Sequence, residues 1–110
     1  MPNKNKTWDI QEYQVIKMDC SRFDVNSIMD GELSDGIGSL LEAGKKNIIL
    51  DFSTVTQISS VGIGAIVSAY REVHDQGGTM KIIGTRKSVG EAIKSTRIDQ
   101  FIELHAFVEG

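Results

Sequence analysis

Cysteine and proline are scarce in this chain of 110 residues, and each shortage excludes a class of protein. The single cysteine, Cys20, cannot form an intramolecular disulfide, so a disulfide-stabilised secreted scaffold is excluded and a reducing compartment is favoured. The single proline excludes a proline-rich linker. No apolar run approaches the ~20 residues that a membrane-spanning helix needs, and residues 1–6 are too polar for a secretory signal. We therefore expect a cytoplasmic protein that does not insert into a membrane.

Positive charge is also not in excess. Lysine and arginine together number 12 and aspartate and glutamate 15, which gives a net charge of −3. Nucleic-acid binders are normally basic or carry a basic stripe, and the pair Arg86-Lys87 is too short to form one. The chain is long enough for one core and one domain. We expect that domain to span residues 1–110, with residues 1–6 as a flexible polar tail.

Apolar periodicity and capping residues predict five strands and three helices. The predicted strands are residues 7–10, 13–18, 47–52, 79–83 and 101–104. The helices are predicted from Asp24 to Gly44, from Ser60 to Asp75, and from Ser88 to Ile93. Residues 47–52 form a continuous apolar run, which predicts burial on both faces of a central parallel strand. Strands alternating with helices predict an α/β fold, in which helices pack against a small, mostly parallel sheet.

The second helix is the most informative, because its two faces differ. Its predicted core stripe is Ile63, Ile66, Val67, Tyr70 and Val73. The opposite face carries Val61, Ala65 and Ser68, with Gly64 beside them. Such small residues would let another protein approach the helix closely, although small residues are also common on helices that bind nothing.

Enzymatic and metal chemistry lack the residue patterns that they need. The segment Gly62–Gly64 resembles part of a dinucleotide fingerprint, but the third glycine is missing. Asp51 has no nearby carboxylate pair that could hold Mg²⁺ for phosphotransfer, and it is better explained as a turn residue. His74 and His105 have no partners at metal-ligand spacing. We therefore expect no enzymatic activity, no metal and no cofactor in this chain.

The segment from Asp51 to Gly64 carries the functional signal. A buried strand leads into a polar loop, which places Ser59 and Ser60 at the start of an amphipathic helix. Either serine could simply cap the helix. A phosphate would also be tolerated there, because free N–H groups and the helix dipole favour negative charge.

These residues resemble a known family, the STAS domains of bacterial anti-sigma-factor antagonists. The family pattern is a strand ending Asp-Leu-Ser, a loop ending Met-Asp-Ser, and Gly-Leu-Gly opening a helix. Asp51–Ser53 matches the first part and Gly62–Gly64 the last, which places Ser60 on the family's phosphorylated serine. Ser59 stands where the family has aspartate, and this makes Ser59 a rival acceptor. Asp24 matches the final residue of an earlier family motif, Gly-Glu-Leu-Asp, and is expected to cap the first helix or to help form the binding site.

The resemblance implies partner switching in transcription regulation. The unphosphorylated protein would bind an anti-sigma factor that is also a serine kinase, phosphorylation would release it, and a serine phosphatase would reset it. ATP and Mg²⁺ would be bound by the kinase and not by this chain. The implied partner-binding residues are Asp24, Ser59, Ser60, Val61, Gly62, Gly64, Ala65 and Ser68.

Two alternatives to the switch remain open. One is a STAS domain used as a non-switching scaffold or assembly module, as in a stressosome or a transporter-associated subunit. The other is a sensor of a small molecule or nucleotide, for which the sequence shows no convergent polar pocket.

Overall fold

Four parallel strands form the main sheet of this chain. The computed structural model describes residues 13–29 and 31–107, so the predicted tail at 1–6 and the predicted strand at 7–10 lie outside the described residues. The strands and helices, in chain order, are β1 (Gln14–Lys17), β2 (Arg22–Phe23), α1 (Val25–Met29), α2 (Glu32–Glu42), β3 (Asn47–Asp51), β4 (Gln57–Ile58), α3 (Ser60–Asp75), β5 (Thr79–Thr85), α4 (Lys87–Lys94), a 3₁₀ turn (Ile98–Gln100) and β6 (Glu103–Ala106).

The main sheet has the order β1-β3-β5-β6, and its neighbouring strands are parallel. Ile48 and Leu50 of β3 and Ile82 of β5 are fully buried and form the centre of the core. Ile49, between the two buried residues of β3, is only half-buried. The predicted burial of β3 on both faces is therefore found only on the face that carries Ile48 and Leu50. The face that carries Ile49 is incompletely covered. The α/β class and the parallel sheet agree with the sequence prediction.

A second, two-stranded parallel sheet joins β2 to β4, and the sequence did not predict it. Each strand has only two residues, which is too short for an alternating pattern to be detected. Phe23 of β2 is fully buried, and its ring meets the ring of Phe52 edge-on at a centroid distance of 5.5 Å. This aromatic contact ties the small sheet to the main core.

The predicted helix from Asp24 to Gly44 is two helices, so that prediction was wrong in this respect. Gly31 has φ of +75°, a left-handed conformation that ends α1 and precedes α2. Glycine adopts this conformation without the steric cost that a side chain brings. The helical spacing of Met29 with Leu33 is therefore interrupted, and Met29 is 78% exposed.

Helix α3 begins and ends at the predicted residues, but its core stripe is rotated from the prediction. Ile66 and Val73 are buried as expected, whereas Ile63, Val67 and Tyr70 are only half-buried. The remaining buried residues of this helix are Gly62 and Ala69. Gly62 is buried because the first turn of the helix lies close against the backbone of Phe23.

Further boundaries differ from the sequence prediction, among them the end of β5, which runs to Thr85 and not to residue 83. Helix α4 begins at Lys87, and Ser88 does not cap it, because the Ser88 hydroxyl donates to the Thr56 carbonyl at 3.1 Å instead. The last strand begins at Glu103 and not at residue 101, because a 3₁₀ turn occupies Ile98–Gln100 directly before it; Phe101, which follows that turn, is 66% exposed. Within residues 13–29 and 31–107, no helix combines the length and the hydropathy needed to cross a bilayer.

Candidate functional site at the start of helix α3

The loop between β3 and α3 is fixed by hydrogen bonds within itself and to the segment between β1 and β2. Asp51 accepts a hydrogen bond from the Ser53 N–H through its Oδ1 at 2.9 Å, which makes it the turn residue that the sequence indicated. The Thr54 hydroxyl donates to the Met18 carbonyl at 2.7 Å, and the Thr56 N–H donates to the Ser21 carbonyl at 2.8 Å. These bonds position the start of α3 relative to the main sheet.

Ser59 is the N-cap of α3. Its hydroxyl oxygen accepts a hydrogen bond from the Gly62 N–H at 3.1 Å, and its own N–H donates to the Phe23 carbonyl at 3.1 Å. Serine and aspartate are similarly effective N-caps. Ser59 therefore performs the capping role that an aspartate could perform at this position, and its half-buried side chain is already engaged.

Ser60 is the first residue of α3 and is exposed. Val61, the next residue, is 51% exposed, so an apolar side chain lies at the surface next to Ser60. The hydroxyl of Ser60 thus lies at the positive end of a 16-residue helix and beside an apolar side chain.

The two glycines of the first helical turns occupy opposite environments. A Cβ on Gly62 would lie 2.5 Å from the Phe23 carbonyl oxygen and 3.0 Å from Cγ1 of Ile58. A Cβ on Gly64 would meet nothing within 4 Å. Gly62 therefore has a packing role against β2 and β4, whereas nothing in the described part of the chain requires glycine at position 64.

Asp24 caps helix α1, next to the start of α3. Its Oδ1 accepts hydrogen bonds from the N–H groups of Asn26 at 3.0 Å and Ser27 at 3.4 Å. The Ser27 hydroxyl accepts from the Asp24 N–H at 3.3 Å and donates to the Arg22 carbonyl at 2.7 Å. Since Phe23 bonds to Ser59, the Asp24 turn and the Ser59 turn are held side by side.

Helix α1 adds an apolar surface that the sequence analysis missed. Val25 is 48% exposed and Met29 is 78% exposed, and α1 packs against α3, which carries Val61. Met29 stands four residues before the buried Leu33, but the break at Gly31 separates the two, and Met29 is exposed. Residues Val25, Met29 and Val61 are called the apolar rim below.

Ala65 and Ser68 lie farther along α3. Together with Leu33 and Ile37 they line an apolar cavity of about 200 Å³ between α2 and α3. Ala65 is half-buried and Ser68 is exposed, so Ala65 faces α2 more than it faces solvent. Of the eight residues implied by the resemblance, Ser60, Val61 and Gly64 are exposed at the start of α3, next to the Asp24 turn, whereas Gly62 is buried against Phe23. Ala65 and Ser68 lie farther along the helix.

The titratable groups near this region include one thiol with a shifted pKa. Burial raises the pKa of the Cys20 thiol, which disfavours the reactive thiolate. Within residues 13–29 and 31–107, no three histidine, cysteine, aspartate or glutamate side chains are grouped as they would be around a metal ion. The arrangement is thus one of a capped helix start, an exposed hydroxyl and an apolar rim.

Residues 5–109 match the sequence model of the STAS domain family. Because the match covers almost the whole chain, this protein belongs to the STAS domain family.

Solved structures share this fold. The crystal structure of a Thermotoga maritima protein regarded as an anti-sigma factor antagonist superposes with a TM-score of 0.72 at 18% identity, over 86% of this chain and 80% of that one. The anti-sigma factor antagonist SpoIIAA in its unphosphorylated form superposes with a TM-score of 0.62 at 17% identity, over 89% of this chain and 82% of that one. At these identities the similarity establishes the fold.

Proposed function

We propose that this protein is an anti-sigma-factor antagonist that works by partner switching. Unphosphorylated, it binds an anti-sigma factor through the start of α3, the Asp24 turn and the apolar rim. Phosphorylation of Ser60 by that partner, acting as a serine kinase, releases it, and a serine phosphatase restores the binding form. This chain performs no catalysis of its own and would bind neither ATP nor Mg²⁺.

The observation that carries this proposal is the contrast between the two serines. Ser59 is half-buried and its hydroxyl caps α3, whereas Ser60 is exposed at the first helical position. A kinase could reach Ser60 without breaking the cap. This favours Ser60 over Ser59 as the acceptor, in agreement with the sequence register.

The physical basis of the switch is the surface that surrounds Ser60. A phosphate brings about −1.5 to −2 charges. The helix dipole and the unbonded N–H groups of the first turn would tolerate this charge in the free protein. In a complex that covers Val61, the same charge would have to lose its hydration against apolar atoms, which is costly. Phosphorylation would therefore weaken the complex more than it destabilises the fold.

The test uses the anti-sigma partner purified from the native cell. Incubation of the two proteins with ATP and Mg²⁺, followed by fragment mass spectrometry, should place phosphate on Ser60. Ser60→Ala should remain bound to the partner in the presence of ATP. Ser60→Asp should bind more weakly than the parent.

Ser39→Asp is the matched control, because Ser39 is an exposed serine on α2, outside the site. It adds the same charge and should leave the affinity unchanged. Phosphate on Ser59 alone would overturn the choice of serine. Phosphate on neither serine, with equal binding of all variants, would instead favour the non-switching scaffold, in which the same surface assembles with a partner without regulation.

A further inference from the structure

A cleft of about 420 Å³ opens between helix α4 and strand β6. Its charged lining residues are Arg86, Lys87, Lys94 and Glu91, and its apolar wall includes Leu104 and Phe107. This volume falls within the ~300–1,000 Å³ typical of small-molecule sites. The region is called the α4–β6 cleft below, and none of its residues belongs to the site around Ser60.

The α4–β6 cleft concentrates positive charge in an acidic protein. Three cations and one carboxylate line it, whereas the whole chain has a net charge of −3. Lys87 and Lys94 are seven residues apart on α4, which places them on one face, about 10 Å apart along the axis. Among the residues that the structure describes, Glu103 forms an ion pair with Lys81 and contacts the His105 ring, and no carboxylate forms an ion pair with a cation of the cleft.

Arg86 is held in place before any ligand arrives. Its Nε donates a hydrogen bond to the Ser53 carbonyl at 2.9 Å, and its Cζ lies 3.8 Å from the centroid of the Phe107 ring. The stacking occupies a face of the guanidinium, and the Nε bond uses one of its five N–H donors. The terminal nitrogens can still form the paired hydrogen bonds by which arginine binds phosphate or carboxylate oxygens.

We propose that the α4–β6 cleft binds a small, soluble ligand that carries phosphoryl groups. Arg86 supplies a preorganised fork of donors, Lys87 and Lys94 supply flexible charges, and Leu104 and Phe107 offer apolar contact to the rest of the ligand. Several cations around one cleft suit the multiple negative charges of a phosphorylated compound better than the single charge of one carboxylate. The proposal is independent of the switch at Ser60.

The experiment is a titration of the ¹⁵N-labelled full chain with inorganic pyrophosphate at constant ionic strength, followed by amide chemical shifts. We expect saturable changes confined to α4, the Ser53 loop and β6. Replacing Lys87 and Lys94 together by glutamine should weaken binding roughly tenfold or more, because each removes a charged hydrogen-bond donor. Both side chains are exposed, so the double variant should keep the spectrum of the folded protein.

The matched control replaces Lys45 and Lys46 by glutamine. Both lysines are exposed, and their replacement removes the same charge at positions far along the chain from α4. This control should bind pyrophosphate as the parent does. Equal loss of affinity in both double variants would overturn the proposal, because binding would then be non-specific charge attraction. An absence of saturable shifts would also overturn it. Sedimentation with phosphatidic acid vesicles that depends on Lys87 and Lys94 would overturn the soluble ligand in favour of a lipid headgroup.

Discussion

The two glycines at the start of α3 offer a direct test of how the candidate site is built. Gly62→Ala places a methyl group 2.5 Å from the Phe23 carbonyl oxygen. That oxygen cannot easily move, because it accepts the hydrogen bond from the Ser59 N–H. We therefore expect the substitution to push α3 away from β2 and β4.

The magnitude follows from two opposing effects. Overpacking against backbone costs typically 1–3 kcal/mol, and the high end of about 3 kcal/mol applies here because the atom that must move is held by a hydrogen bond. Alanine recovers at most about 1 kcal/mol of helix propensity. The free energy of unfolding should therefore fall by about 2 kcal/mol, which lowers the melting temperature by roughly 8 °C in a domain of this size.

Gly64→Ala is the matched control for this prediction. Its new methyl group meets no atom within 4 Å, so only the gain in helix propensity remains. We expect the unfolding free energy to rise by about 0.5–1 kcal/mol. Urea denaturation of the two variants, with the midpoint and slope both fitted, measures the difference. Equal stability of the two variants would show that Gly62 is not closely packed and would refute the described approach of α3 to β2.

Three further predictions concern the caps and the thiol. Ser59→Ala should cost about 1 kcal/mol of unfolding free energy, and Ser60→Ala should cost much less, because only Ser59 caps α3; equal losses in urea denaturation would contradict the assigned cap. Asp24→Asn should retain most of the α1 cap and should weaken binding to the anti-sigma partner; unchanged affinity in calorimetry would limit Asp24 to capping. Cys20 should react with iodoacetamide more slowly than a free thiol at pH 8–9, because burial raises its pKa. Alkylation of Cys20 at the rate of an unfolded control would disprove the shift. The raised pKa of Cys20 also makes the free energy of unfolding pH-dependent: its contribution is fully present below the ordinary thiol pKa and is lost as the pH rises through the raised pKa.

The sequence by itself determined the α/β class, the boundaries of α3 and the position of Ser60. Long amphipathic helices and apolar strands have periodicities that can be read locally, and serine followed by a glycine-rich helix start is a local signal. The turn role of Asp51 could be read in the same way, because its hydrogen bond reaches only to Ser53.

The tertiary structure decided the features that depend on distant residues. The parallel pairing of β2 with β4 joins two-residue segments more than 30 positions apart, and no local pattern encodes it. The exposure of Met29 follows from a break at Gly31, whose left-handed backbone the sequence pattern did not reveal. The α4–β6 cleft forms only when β5 and β6 pair and Phe107 reaches Arg86. Sequence alone therefore located the serine of the proposed switch. Only the tertiary structure showed that Ser59 is engaged as a cap and that Ser60 is exposed, because the burial of a side chain depends on what the rest of the chain places around it.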